Sequence, residues 1–244
     1  MTGTLINIAT VLIGGTLGIL AGGRLPERVR QTVVAGLGLF TAAYGVQLFL
    51  GTKNPIVVLG SILVGGLLGE WWQIEAKLSG IGAYLESKFI RRNSGAGDFS
   101  KERIRFIQGF LTASLVFCVG PMTILGSIQD GLSGDYRLLA IKSVLDGFAS
   151  LAFASSLGVG VLFSTLVILT YQGGISLLAA QAQAIFTPAM MTEMTAAGGI
   201  LLMGIAVSSL LEIKPIRVGN FLPALIIAPL IVAIMAALGI PLSF

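Results

Sequence analysis

An all-α, polytopic transmembrane helical bundle of about eight spans, with one cytoplasmic amphipathic interfacial helix, is the fold class that the sequence predicts. Three observations predict it. Only 11% of the 244 residues are charged, 55% are hydrophobic, and the mean hydropathy is +0.95. A soluble domain carries about 25% charged residues, so the charges here are too few to cover a water-facing surface. The apolar residues gather into runs close to the ~20 that cross hydrocarbon as a helix. Finally, most of the lysines and arginines fall in alternate connections between those runs.

The runs lie at about 3–23, 32–50, 55–72, 105–127, 137–156, 158–180, 193–212 and 219–240. The third is short and glycine-rich. Only Ser155–Gly160 separates the fifth from the sixth, which leaves open a seven-span count with one broken long helix. Met1-Thr2-Gly3-Thr4 lacks the basic segment of a cleaved signal, and the first run is long enough to span, so a retained first helix is expected.

Orientation follows from the basic residues. Arg24, Arg28 and Arg30 lie between runs one and two, and Lys77, Lys88, Arg91, Arg92, Lys101, Arg103 and Arg105 between three and four. Lys214 and Arg217 lie between seven and eight. With eight spans these twelve of the fifteen basic residues share one face, the expected cytoplasmic one, and both termini lie outside. The opposite face keeps Lys53 and Arg137 beside Asp130, Asp135 and Glu193. Glu193 is read there as an acidic residue opening span seven, where the positive end of the helix dipole stabilises it.

Within this single transmembrane domain, 1–244, the segment 71–104 differs in kind. Trp71, Ile74, Leu78, Ile81, Leu85 and Phe89 recur at three- and four-residue steps, with Glu75, Lys77, Glu86 and Lys88 off the stripe. That pattern is an amphipathic helix in the interface, apolar face down and lysines towards headgroups. It serves as a membrane-surface strut or as a docking helix. The polar linker Asn93–Asp98 follows.

Composition also excludes chemistry. The chain has no histidine and one cysteine, Cys118. That removes Cys/His zinc and haem sites, an intrachain disulfide, and Ser-His-Asp or Cys-His catalysis. No enzyme activity, metal or cofactor is expected. The net charge of +4 is spread between apolar runs, so membrane lipids, not nucleic acid, are the expected partners. A small ion or polar solute and a second copy of the chain complete the list.

Glycines give the spans small faces: Gly14, Gly15, Gly18 and Gly22 in the first, Gly65, Gly66 and Gly69 in the third. Such faces allow close backbone approach where no hydrophobic effect drives association. The phrase Val11–Gly18 matches Ile62–Gly69 at an offset of 51 residues, and Pro26–Val29 matches Pro215–Val218. Duplicated helical hairpins and convergent packing both account for the likeness.

Polar residues inside the spans mark the candidate site. Lys142, Asp146 and Ser150 are spaced by four and share a helix face, with Ser143 beside them. Asp146 lies nine residues past Arg137, near mid-membrane, where an ionisable group is costly unless paired or wet. A structural Lys142–Asp146 pair and an ion or proton site at Asp146 are the two readings. Span four carries Cys118, Gly120, Pro121 and Thr123, and Pro121 predicts a kink or break that frees carbonyls around Phe117 and Cys118. Gln172-Gly173-Gly174 predicts a second break in span six. Cys118 is read as a small packing residue.

Several phrases taken together resemble one family. They are Phe117–Gly131, Lys142–Gly147, Tyr171–Gly173, Gly3–Asn7 and Leu222–Ala224, and they cover nearly the whole chain. On these residues the sequence resembles the YqgA/YdfK-like bacterial inner-membrane proteins, a domain of unknown function. The resemblance implies a bacterial inner membrane and adds weight to the Lys142–Asp146 region. The expectation is therefore a transporter or channel-like permease for a small ion or polar solute. Its proposed site residues are Asp146, Lys142, Ser143, Ser150, Gln172, Cys118 and Thr123. A non-transporting oligomeric scaffold is the alternative.

Overall fold

The computed structural model describes residues 1–22, 26–78, 80, 84, 99–118 and 121–242. The described chain folds as α-helices: α1 (Thr2–Gly22), α2 (Glu27–Phe49), α3 (Pro55–Trp72), α4 (Phe99–Cys118), α5 (Pro121–Ser133), α6 (Arg137–Leu157) and α7 (Gly160–Val167). A π-helical turn π1 (Ile168–Gln172) leads into α8 (Gly173–Leu177), then α9 (Ala179–Ile185) and α10 (Pro188–Ile205). A second π-turn (Ala206–Leu210) and a 3-10 turn (Val218–Phe221) precede α11 (Ala224–Ala237). No strand occurs among the described residues.

Helix ends follow local chemistry. Asn54 caps α3 by accepting from the Ile56 amide, and Thr187 caps α10 by accepting from the Met190 amide. Pro55 and Pro188 occupy the first helical position of these two helices, where their missing donor costs nothing. Between α6 and α7 the chain reverses at Gly158, whose φ of +77° only glycine adopts freely. Runs five and six are therefore separate helices, not one broken helix.

Six helical stretches among the described residues are long and apolar enough to cross a membrane. A seventh is the pair α4–α5, bent by 63°, and the shorter apolar stretch Val34–Phe49 lies within α2. The count of eight is thus reached only by including the short stretch. The break expected at Pro121 separates α4 from α5. The break expected at Gly173-Gly174 is absent: both glycines are helical, and the irregularity is the π-turn ending at Gln172. A π-turn inserts an extra residue into the helix and so re-aims a side chain without parting the chain.

Contacts between helix ends define two faces. Positions Gly3, Gly14 and Gly22 of α1 meet Leu139, Gly147 and Ser155 of α6, so the two helices run parallel. Gly45 of α2 meets Gly199 of α10, and Gly38 meets Leu211, an antiparallel pair. Gly69 and Gly65 of α3 meet Asn220 and Ala224, again antiparallel. The Asp130 carboxylate at the end of α5 pairs with the Met1 amino group at 2.9 Å, while Gly109 of α4 packs against Leu157 and Gly160 against Phe106. The bent pair therefore passes from one face to the other. One face collects Met1, Asn54, Asp130 and Pro188. The other collects Gly22, Trp72, Leu157 and Val218.

Beyond Trp72 the helix ends at Gln73, in the left-handed conformation. Residues 74–78 are helical. The rest of the amphipathic stripe, Ile81, Leu85 and Phe89, and the linker Asn93–Asp98 lie outside the described residues.

Candidate functional site

The site grows from three helices that each bring one or two polar groups to the middle of the bundle. From α6 come Lys142 and Asp146, one turn apart, each 6% exposed. Lys142 Nζ pairs with Asp146 Oδ2. From α1 comes Asn7, which is fully buried. Its Nδ2 donates both to Asp146 Oδ2 and to Gln172 Oε1, at 3.0 Å each. From π1 comes Gln172, also fully buried, whose Nε2 donates to Thr4 Oγ1 at 3.2 Å. The result is a chain of hydrogen bonds from Lys142 through Asp146, Asn7 and Gln172 to Thr4.

Glycine makes this convergence possible. A methyl group on Gly14 or Gly18 would overlap the backbone of Gly147 or Leu151, and one on Gly15 would overlap Leu162 and Ser150. Because α1 and α6 touch backbone to backbone, the Asn7 amide reaches the carboxylate across the crossing. The π-turn performs the matching task on the other side by turning Gln172 inwards while Tyr171 faces away from it.

The sequence-predicted residues divide into three groups. Asp146 and Lys142 pair directly, and Gln172 joins them through Asn7. Ser143 and Ser150 share their helix face but bond elsewhere: Ser143 Oγ donates to the Leu139 carbonyl, and Ser150 Oγ to the Val11 carbonyl of α1 at 2.7 Å. Cys118 and Thr123 lie at the α4–α5 break. Thr123 Oγ1 donates across it to the Phe117 carbonyl at 3.1 Å, satisfying one of the carbonyls that the break frees.

Asn7 and Thr4 join the network although neither was among the predicted site residues. Their signal was present: residues 4, 7, 11, 14 and 18 repeat at helical steps, so two polar side chains share the glycine face. What the sequence lacked was the partner, which is 139 residues away. Asn7 Oδ1 is buried with no hydrogen-bond partner among the described residues.

Two further polar clusters sit at the faces. Glu193 is the sixth residue of α10, too far inside for the dipole reading made from sequence. It is fully buried and accepts from Thr52 Oγ1 at 2.5 Å, from the Lys53 amide at 2.7 Å and from the Asn54 amide at 3.3 Å. It latches the α2–α3 turn. At the opposite face Glu70 accepts from Arg217 and from Asn220 Nδ2 at 2.5 Å each, and Glu75 accepts from the Gly219 amide at 2.6 Å. That cluster ties α3 and the following turn to the start of α11.

Comparison with known proteins places this architecture. A family model described as "Protein of unknown function (DUF554)" matches residues 2–233. The chain is similar to "Uncharacterized membrane protein YdfK" of Bacillus subtilis (strain 168), 30% identical over 244 residues, covering 98% of this chain and 99% of that one. It is also similar to "Uncharacterized protein YqgA" of Escherichia coli (strain K12), 34% identical over 227 residues, covering 93% and 94%. No solved structure matches.

Proposed function

The chain belongs to the DUF554 family, and from that premise we propose that this multi-pass membrane protein is a secondary permease for a proton or small cation. Asp146 is the ion-carrying carboxylate and Lys142 the tethered cation that occupies it when no ion is bound. One observation carries the reading: a Lys–Asp pair held in the bundle interior by neutral amides from two other helices. Buried ion pairs add little stability over an apolar replacement, and ionisable residues at membrane depth mark ion or proton pathways by default. The neighbouring irregular elements support it. A π-turn carries Gln172, and the α4–α5 break lies beside the same bundle interior; π-turns and broken spans recur where helices move or line a polar path.

In this reading the enclosed pair is the closed state. An arriving proton or cation neutralises Asp146, the Lys142 ammonium leaves Oδ2, and the Asn7 amide remains on the carboxylate side. Gln172 then follows or releases Asn7, which couples occupancy to the π-turn. The face that holds Arg28, Lys214 and Arg217 is cytoplasmic by the positive-inside rule, and both termini are outside. The membrane is a bacterial inner membrane, and the protein carries out no catalysis.

A second reading makes the network a fastener and the protein a non-transporting, oligomeric scaffold. The hydrogen bonds that Asn7 and Gln172 supply favour it, since they satisfy the pair without any ligand. Reconstituted vesicles separate the two. With a proton-sensitive dye and imposed proton, sodium and potassium gradients in turn, the parent chain is expected to dissipate at least one gradient. Asp146→Asn should fall to the level of empty vesicles. Equal flux in parent and variant removes Asp146 from any transport mechanism, and no flux in either leaves the fastener reading standing.

A further inference from the structure

Helix α5 brings a second buried carboxylate to the first turn of α1. Asp130 lies near the outer end of α5; its side chain is 1% exposed, while residues 131–137 after it are all exposed. Its Oδ2 accepts from the Gly3 amide at 3.0 Å and pairs with the Met1 amino group at 2.9 Å. Its Oδ1 is sealed and has no hydrogen-bond partner among the described residues, and Asn7 Oδ1 is in the same condition. Gly3 holds Asp130 and Asn7 holds Asp146. Four helical residues rise about 6 Å, so α1 anchors the two carboxylates one turn apart. Between them stands Thr4, fully buried, whose Oγ1 accepts from the Gln172 amide.

An anchor for the first turn of α1 needs one acceptor, and Asp130 Oδ2 supplies it. The other oxygen is then a cost, because a buried acceptor without a donor has lost the hydrogen bonds it made to water. The same cost recurs one turn deeper at Asn7. One orphan belongs to a carboxylate and the other to the amide bonded to a carboxylate, so positive charge is what relieves them. A metal cation needs space and a shell of oxygens, and these two oxygens are sealed. A proton adds to a lone pair and displaces no atom. The surroundings are polar as well: Thr123, Ser127 and Asp130 recur at steps of four and three on α5, and all are buried. The Ser127 carbonyl accepts from Ser176 Oγ, one turn beyond Gln172. The polar side of α5 thus meets that of π1 and α8.

We propose that Asp130 is the outer station of a proton path whose inner station is Asp146, with Thr4 as the hydroxyl between them, so that the cargo is the proton. This rests on the reading of Asp146 as the ion-carrying carboxylate. A proton from the outer water adds to Asp130, and the neutral acid releases the Met1 ammonium. When Gln172 leaves Thr4, the freed lone pair of Oγ1 accepts that proton while the hydroxyl gives its own to Asp146. Asp130 is then a carboxylate again, and the Asp146 acid releases the Lys142 ammonium. Only hydrogen changes partner, and no co-reactant is needed.

Proton flux into vesicles holding the full chain tests this, with a trapped pH dye, acid outside and the membrane potential clamped by potassium and valinomycin. Asp130→Asn should slow flux about a hundredfold, the loss expected when a proton-transferring side chain is removed. Asp130→Glu, which keeps the carboxyl group, should retain it. Azide added outside should restore flux in Asp130→Asn, because its small acid delivers the proton that Asp130 no longer relays; a lost anchor would gain nothing from azide. The double variant Asp130→Asn/Asp146→Asn gives the background that hydrazoic acid carries by itself. Three results overturn the proposal and leave Asp146 its role, provided that Asp146→Asn abolishes flux. They are parent-like flux in Asp130→Asn, no restoration by azide, and sodium or potassium flux in the parent without proton flux. No flux of any ion in the parent removes the permease reading and this proposal with it. Should Asp130→Asn fail to fold, Thr4→Val decides: it should slow flux about tenfold, and flux at the parent's rate overturns the proposal.

Discussion

Helix α1 meets α6, and α3 meets α11, through closely similar stripes of small residues, yet the two crossings are built for different ends. Gly14, Gly15 and Gly18 bring α1 onto α6 in parallel, whereas Gly65, Gly66 and Gly69 bring α3 onto the start of α11 in antiparallel. At the first crossing the polar groups are deep: Asn7, Lys142 and Asp146 are bonded to one another inside the bundle. At the second the polar groups stand at the face, where Arg217 is 70% and Glu70 56% exposed. A shared packing device thus carries a buried charge in one place and an interfacial clasp in the other. The difference teaches that glycine spacing sets how closely helices approach, while the placement of polar residues decides what the approach is for. It also weakens the case for duplicated hairpins, because the matched phrases pack in opposite senses.

The largest expected effects come from what the crossings share. Gly14→Val and Gly69→Val each drive a side chain into a backbone carbonyl, of Gly147 and of Asn220. Backbone cannot yield as a flexible side chain can, so each should cost about 3 kcal/mol or more. Reversible unfolding in mixed detergent measures this. Gly36→Ala is the control, since nothing lies within 4 Å of its added carbon. It should be neutral or stabilise α2 by about 0.5–1 kcal/mol. If Gly14→Val were as mild as Gly36→Ala, the close parallel crossing would not exist.

The next effect separates the crossings. Lys142→Met leaves Asp146 as an uncompensated buried charge and should destabilise by about 3–5 kcal/mol. Adding Asp146→Leu removes that charge, and the double variant should return to within about 1 kcal/mol of the parent. Under the permease reading, flux stays lost in the double variant although stability recovers. Under the fastener reading stability is the whole story. A double variant as unstable as the single would mean that Asn7 and Gln172, left without the carboxylate, matter more than the pair.

Much of this contrast was readable from sequence, for physical reasons that also mark where reading fails. The steps of four that place Lys142 and Asp146 on one face are local, and a helix enforces them whatever surrounds it. The proline at 121 breaks its helix by removing a donor and crowding the preceding turn, again a local cause. Glycines at 173 and 174 misled because glycine permits a bend without compelling one, and the helix runs on through both. The meeting of Asn7 with Asp146, the Glu193 latch on the α2–α3 turn and the reach of Asp130 to the first turn of α1 all depend on which helices become neighbours. No local spacing encodes that choice. The interfacial stripe from Trp71 rests on local spacing alone, since between Trp72 and Phe99 only residues 73–78, 80 and 84 are described.

The smallest effect tests the interfacial clasp. Arg217 and Glu70 form an exposed pair, and such pairs contribute about 0–1 kcal/mol because water and salt screen them. Arg217→Gln should therefore lower stability by less than about 1 kcal/mol, and 0.5 M salt should erase most of the difference. Asn220→Ala at the same place should cost more. Its side chain is buried and bonded both to the Glu70 carboxylate and to the Glu75 amide, so its loss strands a buried donor. The same unfolding assay ranks the two. Asn220→Ala weaker than Arg217→Gln would mean that long-range charge, not hydrogen bonding, holds α3 to α11 at that face. The second crossing would then resemble the first more than its geometry implies.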